Sequence, residues 1–247
     1  MFYNFFFRLK FRKIVYGQIY KKLIKKYKKM NKSKKIAIIL SGSGVYDGAE
    51  IHEATMTMFA VAKQGAEYQI FAPNINQHHV INHITGEEMS EKRNVLIESA
   101  RIARGNIKEL KELDVSKFDA IMFPGGFGVA KNLSDFAFKG ENCTVIPEVE
   151  KVVNDAVKFG KPIGALCISP AIIAKIIKGS EVTIGQDKGT AEAIEKMGSH
   201  HITTNHGEVV VDEKYKIATT PCYMLDAKIT DIADGAINVT QAVFELM

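Results

Sequence analysis

The sequence predicts an α/β fold, a mostly parallel sheet with helices on both faces. Three observations carry this expectation. Short apolar runs recur along the chain, each bounded by turn residues, as strands buried on both faces do. Helical stretches alternate with them, the arrangement that builds a parallel sheet covered on both sides. Glycine-rich or otherwise special loops follow several of the runs, where open sheets of this kind hold their ligands.

Taken in order, Ile36–Leu40 is wholly apolar between Lys35 and Ser41-Gly42 and reads as the first strand. The loop 41–48 follows, with three glycines. From Glu50 the period becomes helical, with Ile51, Met58, Phe59 and Ala62 on one face and a stop near Gly65. Tyr68–Ala72 is the next strand, ended by Pro73. Residues 74–118 are polar, with helical stretches expected at Val95–Arg104 and Ile107–Leu113. Asp119–Phe123 is a strand running into Pro124-Gly125-Gly126-Phe127-Gly128. Pro147–Phe159 is an amphipathic helix with Val149, Val152, Val153 and Ala156 on one face and Gly160 as its cap. Pro162–Leu166 is a strand, and Pro170–Ile177 a helix with proline in its first turn. Short strands are expected near Val182–Ile184, Val209–Val211 and Ile217–Thr219, and a last helix over Ile229–Leu246.

Of 247 residues 46% are hydrophobic, enough for one full core. The net charge of +5 is unevenly spread. Residues 1–29 hold ten of the 33 basic side chains and no acid, which leaves 23 basic against 28 acidic side chains, a net of −5, for the rest. The globular part therefore offers no basic surface of the kind that nucleic-acid binding requires. Phe2, Tyr3, Phe5, Phe6 and Phe7 open the tail, which has no apolar run of the ~18 residues a membrane span needs. It reads as an organelle-targeting peptide, as a basic segment lying on a membrane surface, or as a translated upstream stretch ahead of a start at Met30. Residues 1–29 are accordingly set apart from a domain at 30–247. A cytoplasmic location is expected, or a mitochondrial or other organelle location if the tail is a targeting peptide. Membrane contact is expected only through the tail.

Three scattered cysteines, Cys143, Cys167 and Cys222, suit a reducing compartment and exclude a disulfide framework. Cys167 stands apart. In Leu166-Cys167-Ile168-Ser169-Pro170 a buried strand runs straight into a helix, the geometry of a nucleophile elbow. The amides and dipole of that helix would favour thiolate. An arbitrary cysteine is a small buried hydrophobe, and that reading is kept for Cys143 and Cys222.

The 124–128 loop lacks the Lys-Ser/Thr of a P-loop and the dinucleotide pattern, so neither nucleotide is expected. Its glycines fit an oxyanion hole or a plain tight turn. A thiol needs a base, and Asp47, Glu50, His52 and Glu53 are the candidates. Carboxylates in a first helical turn also serve as solvated partners of the helix dipole. His78-His79, His200-His201 and His206 lack the companions of a standard metal site, so no metal is expected.

The chain resembles the ElbB-type glyoxalase family, in the PfpI-type branch of the class I glutamine amidotransferase-like superfamily. The blocks that carry the resemblance begin with 39–48, Glu50-Ile51-His52-Glu53-Ala54 and 80–87. Arg93-Asn94-Val95-Leu96-Ile97-Glu98, 124–128, Lys131-Asn132-Leu133 and Cys167-Ile168-Ser169-Pro170-Ala171 continue them. Val210-Val211-Asp212 and Thr219-Thr220-Pro221 complete the set. The resemblance spans about residues 34–246. It implies a flavodoxin-like three-layer sandwich, a homodimer, and a weak cofactor-independent glyoxalase activity on a small 2-oxoaldehyde. Cys167 matches the family's nucleophile and Glu53 its helix glutamate. Gly125 and Gly126 match the oxyanion glycines, with the amide after the nucleophile, at Ile168, completing the substrate-binding set. Ser43 stands where some members carry a second cysteine, and Ile168 where many superfamily proteases and amidases carry histidine. The second departure removes the usual base beside the nucleophile and argues against peptidase or glutaminase chemistry.

The expected reaction is conversion of glyoxal or methylglyoxal to a 2-hydroxy acid through the cysteine. The rival expectations are a redox or stress sensor whose cysteine oxidises, and a non-catalytic interaction protein linked to isoprenoid metabolism.

Overall fold

Seven strands form the central sheet of the computed structural model, which describes residues 33–247. They are β1 (Lys35–Ile39), β2 (Glu67–Ala72), β3 (Ile107–Glu109), β4 (Ala120–Phe123), β5 (Ile163–Leu166), β8 (Val210–Asp212) and β9 (Ile217–Thr220). β6 (Glu181–Val182) and β7 (His200–His201) pair in a separate two-stranded sheet. The large sheet runs β3-β2-β1-β4-β5-β9-β8, parallel throughout except for the antiparallel β8–β9 pair. Residues Lys34–Met247 make one compact unit. The three readings of residues 1–29 lie outside the described residues.

The helices are α1 (Ile51–Lys63), α2 (Val95–Ile102), α3 (Phe127–Lys131), α4 (Phe136–Lys139), α5 (Pro147–Lys158), α6 (Ser169–Ile176), α7 (Lys188–Lys196) and α8 (Ile229–Glu245). The sheet separates two apolar cores. One gathers α3, α5, α6 and α7 through residues such as Val129, Val153, Ile172 and Ile194. The other gathers α1 and α8 through Ala54, Val61, Ile232 and Val239. This is the flavodoxin-like sandwich, and the all-apolar runs of β4 and β5 are explained by burial on both faces. Each such Ile or Val stabilises the fold by ~1.5–3 kcal/mol relative to an exposed position.

Three details differ from the sequence reading. On α1 the buried face is Glu53, Ala54, Thr57, Ala60 and Val61, whereas Ile51 and Phe59 are exposed. Small residues win that face because α1 packs closely against α8, where large side chains would hold the helices apart. Ile107–Leu113 is not helical as a whole. Ile107–Glu109 is an edge strand paired with Ile70–Ala72, and a 3₁₀ turn at Leu110–Glu112 follows. The helix α7 and the strand β7 have no counterpart in that reading, whereas β6 is the strand expected near Val182–Ile184. The short apolar run near 182 ends after two paired residues, with Thr183 turned to a side-chain hydrogen bond.

From β1 the chain moves to β2 on one side and, later, to β4 on the other. The crevice at the carboxyl ends of β1 and β4 is therefore a topological switch point, the place where such sheets bind ligands.

Candidate active site

The loops after β1, β4 and β5 meet in that crevice. Phe127 N–H donates to the Val45 carbonyl at 2.8 Å and Gly128 N–H to the Gly48 carbonyl at 2.8 Å. Glu50 N–H donates to the Gly125 carbonyl at 2.9 Å. Ser169 Oγ, at the start of α6, donates to the Pro124 carbonyl at 2.8 Å. A fourth segment, the turn after β9, closes the site, with Cys167 N–H donating to the Thr220 carbonyl at 3.0 Å.

Cys167 sits where β5 turns into α6 with φ at +58°. A left-handed non-glycine residue costs ~1–3 kcal/mol, a strain that cores retain mainly where a side chain must be aimed. Its sulfur faces Glu53, which projects from the first turn of α1. Gly125 lies against both. A Cβ on Gly125 would come within 2.4 Å of Cys167 Cβ and 2.6 Å of Glu53 Oε2, so only glycine allows the approach.

Glu53 is completely buried. Its Oε2 accepts from Gly125 N–H at 2.9 Å and its Oε1 from Tyr223 N–H at 3.2 Å. Its own N–H donates to Glu50 Oε2 at 2.7 Å, which makes Glu50 the N-cap of α1. Burial, reinforced by the nearby Glu50 carboxylate, pushes the Glu53 carboxyl up to about 8, although the two amides and the Cys167 thiol pull it down. Both carboxylates are thus buried parts of the site, not solvated partners of the helix dipole.

Cys167 corrects another expectation. Burial and the neighbouring Glu53 push its thiol well above the ordinary range, and the amides of Gly126 and Ile168, directed at the sulfur, do not offset this. The resting group is a thiol, 7% exposed. The helix end supplies amides, but desolvation in this pocket outweighs them.

The glycine pair divides its work. Gly125 spends its N–H on Glu53 and has none left for a substrate oxygen. Gly126, with φ at +101°, turns its amide to the sulfur, as Ile168 does. The amides directed at the sulfur are therefore those of Gly126 and Ile168, not Gly125. Asp47 is elsewhere: its Oδ2 accepts from Ile81 N–H at 2.7 Å and anchors the 78–84 loop.

Tyr223 is a site residue that the sequence does not single out. Its amide holds Glu53, and its phenol lies 2.8 Å from His52 Nδ1. The available signal is the Thr-Thr-Pro end of β9, which delivers the 222–224 turn to the crevice. Cys222, buried on the same apolar side of the sheet with φ at +43°, adjoins this turn, while Cys143 lies in the opposite core. Among the described residues no group of three or more His, Cys, Asp or Glu is arranged to hold a metal ion. A separate cavity of about 340 Å³, lined by residues including His206, Glu208, Asp231 and Asp234, shares no residue with the cysteine site.

No protein-family model matches the chain. A human glutamine amidotransferase-like class 1 domain-containing protein 3, mitochondrial, is 47% identical over 222 residues, covering 86% of this chain and 83% of the relative. Among solved structures, an isoprenoid biosynthesis protein with an amidotransferase-like domain from Ehrlichia chaffeensis superposes with a TM-score of 0.80 at 36% identity, covering 86% of this chain and 100% of that one. Glyoxalase III from Candida albicans shares the fold alone, with a TM-score of 0.58 at 18% identity over 87% of this chain and 97% of that one.

Proposed function

We propose that the chain, which belongs to the family of glutamine amidotransferase-like class 1 domain proteins, is a cofactor-independent glyoxalase of the ElbB type. The observation that carries the proposal is the buried pair of Cys167 and Glu53, a thiol against a carboxyl whose affinity for protons is tuned close to neutrality. A general base works best when its pKa lies near the working pH.

In the reaction, ionised Glu53 takes the thiol proton as Cys167 Sγ adds to the aldehyde carbon of a 2-oxoaldehyde. Glu53 passes that proton to the new oxygen, which the amides of Gly126 and Ile168 hold, so the product is a hemithioacetal and the carboxylate is ionised again. Glu53 then moves a proton from the aldehyde carbon to its neighbour, while the hydroxyl proton passes from the first oxygen to the second. The first carbon is oxidised to a thioester and the second reduced to an alcohol, so no outside oxidant or reductant is needed. Water cleaves the thioester to a 2-hydroxy acid and returns the thiol. Ile168 offers no imidazole beside the sulfur, which suits aldehyde chemistry better than amide cleavage.

The test is turnover of glyoxal and methylglyoxal by the full chain, with chiral analysis of the acid. Wild type should form glycolate and lactate, and Cys167→Ser should lose at least ~10³-fold while melting as wild type does. Equal activity in the variant would refute the assignment. A redox sensor needs an exposed thiol that ionises easily, and Cys167 is buried with its thiol pushed up. A link to isoprenoid metabolism, catalytic or not, draws support from what the Ehrlichia relative is called. The human relative is called mitochondrial, which supports the targeting reading of residues 1–29 in place of the cytoplasmic expectation.

A further inference from the structure

The reaction above ends with hydrolysis, and neither member of the buried pair suits that step. Cys167 is the leaving group. Glu53 is wholly buried, away from entering solvent. A third group has to activate water where solvent enters. The position next to the nucleophile, which could have supplied one, is Ile168.

His52 is linked to the buried pair through Tyr223. It lies on α1 one residue before Glu53, and its side chain is 49% exposed, in contrast to the buried carboxyls and thiol behind it. It is also held. Nδ1 is 2.8 Å from Tyr223 Oη and 3.9 Å from Glu50 Oε1. Tyr223 in turn donates its amide to Glu53, so one residue fixes both the buried carboxyl and the imidazole. The arrangement requires the tautomer with its proton on Nδ1, donated to Tyr223 Oη. That leaves the Nε2 lone pair free, the orientation a base needs. An exposed histidine with no role would be expected to move freely in water. This one is tied by two side chains that belong to the site.

We propose that His52, oriented by Tyr223 and Glu50, is the base that activates water for hydrolysis of the Cys167 thioester. Nε2 takes one proton from the water, whose oxygen attacks the thioester carbonyl. The oxyanion forms against Gly126 and Ile168, the C–S bond breaks, and the imidazolium returns the proton to the sulfur. The inference rests on the glyoxalase reading, and the experiment separates the two.

The experiment is rapid-quench kinetics of the full chain with methylglyoxal, following the thioester on Cys167 by intact mass, in wild type, His52→Gln and Tyr223→Phe. In His52→Gln the first-turnover rate of thioester formation should stay within about threefold of wild type. Its steady-state turnover should fall ~10²-fold, with thioester accumulating. Tyr223→Phe keeps the amide bond to Glu53 and should show the same pattern, less strongly. A His52→Gln enzyme that turns over as wild type with no accumulated thioester would overturn the inference. So would one in which thioester formation and turnover fall together, since that is what a merely structural histidine would do. Absence of Cys167-dependent turnover in wild type would instead defeat the glyoxalase reading itself, and the inference with it.

Discussion

At the scale of single residues, the site works by withholding water. Glu53 would be an ordinary carboxylate in solvent. Enclosed beside Glu50 it holds its proton up to about 8, and it does so against two amide donors and the Cys167 thiol, which favour the ionised form. A pH dependence follows, and its sign is fixed by the role of the group. The base must be ionised to accept the thiol proton, and the folded value is raised, so the active form is scarce below that value. kcat/KM for methylglyoxal should therefore climb about tenfold per pH unit below about 8 and level off above it. Glu53→Gln should remove the climb together with ~10²–10⁴-fold of activity. A flat profile through this range in wild type would show that Glu53 is not the base. The oxyanion amides are a second consequence of the same enclosure. Gly126 and Ile168 direct their amides at the sulfur, where an atom bonded to it would meet them.

At the scale of elements, the site is a junction of four strand ends, and glycines set how closely those ends approach. A Cβ on Gly126 would lie 2.3 Å from the Glu50 nitrogen and 2.4 Å from the Gly48 oxygen, both backbone atoms that side-chain rotation cannot move. Its φ of +101° adds strain for any other residue. Gly126→Ala should cost roughly 2–5 kcal/mol and most of the activity. Gly179→Ala, also at positive φ but in open space, should cost only about 1–2 kcal/mol and no activity. Thermal melts of the two variants make the comparison, and equal losses would mean that backbone conformation alone, without close approach, accounts for Gly126. Elements of this kind are unevenly legible in the sequence. The buried strands are plain because an apolar run of four or five residues between turn residues is too short for a helix and too apolar for a surface loop. The Leu166-Cys167-Ile168 junction stands out with them, at the end of one such run. The buried face of α1 is not plain, because Ala54, Thr57 and Ala60 carry little hydrophobic signal beside Ile51 and Phe59, which face outward. Tyr223 is hidden because its amide does the work, and every residue except proline has one. The protonation of the thiol is misjudged from sequence because a helix end is visible there, whereas the depth of burial that outweighs it is a tertiary property.

At the scale of the whole molecule, the chain divides between residues 1–29, rich in basic charge, and a mildly acidic globular part. Every hydrogen bond that builds the site joins residues between 41 and 223, and all of them lie inside the compact unit Lys34–Met247. The first strand begins at Lys35, so a start at Met30 leaves the whole sheet intact. Catalysis and folding should therefore be separable from the tail. A chain beginning at Met30 should melt within about 2 °C of the full chain, since a change of 1 kcal/mol moves the midpoint of a domain this size by ~2–4 °C. It should also turn over methylglyoxal at the same rate per thiol. Location should behave oppositely. Basic charge with no acid is one feature of organelle import signals, so the targeting reading predicts that residues 1–29 fused to a fluorescent protein carry it into mitochondria and that the chain from Met30 stays in the cytosol. A fusion that remains cytosolic would remove the targeting reading while leaving the enzyme untouched. A truncated chain that melts far lower would show instead that the tail contributes to the fold.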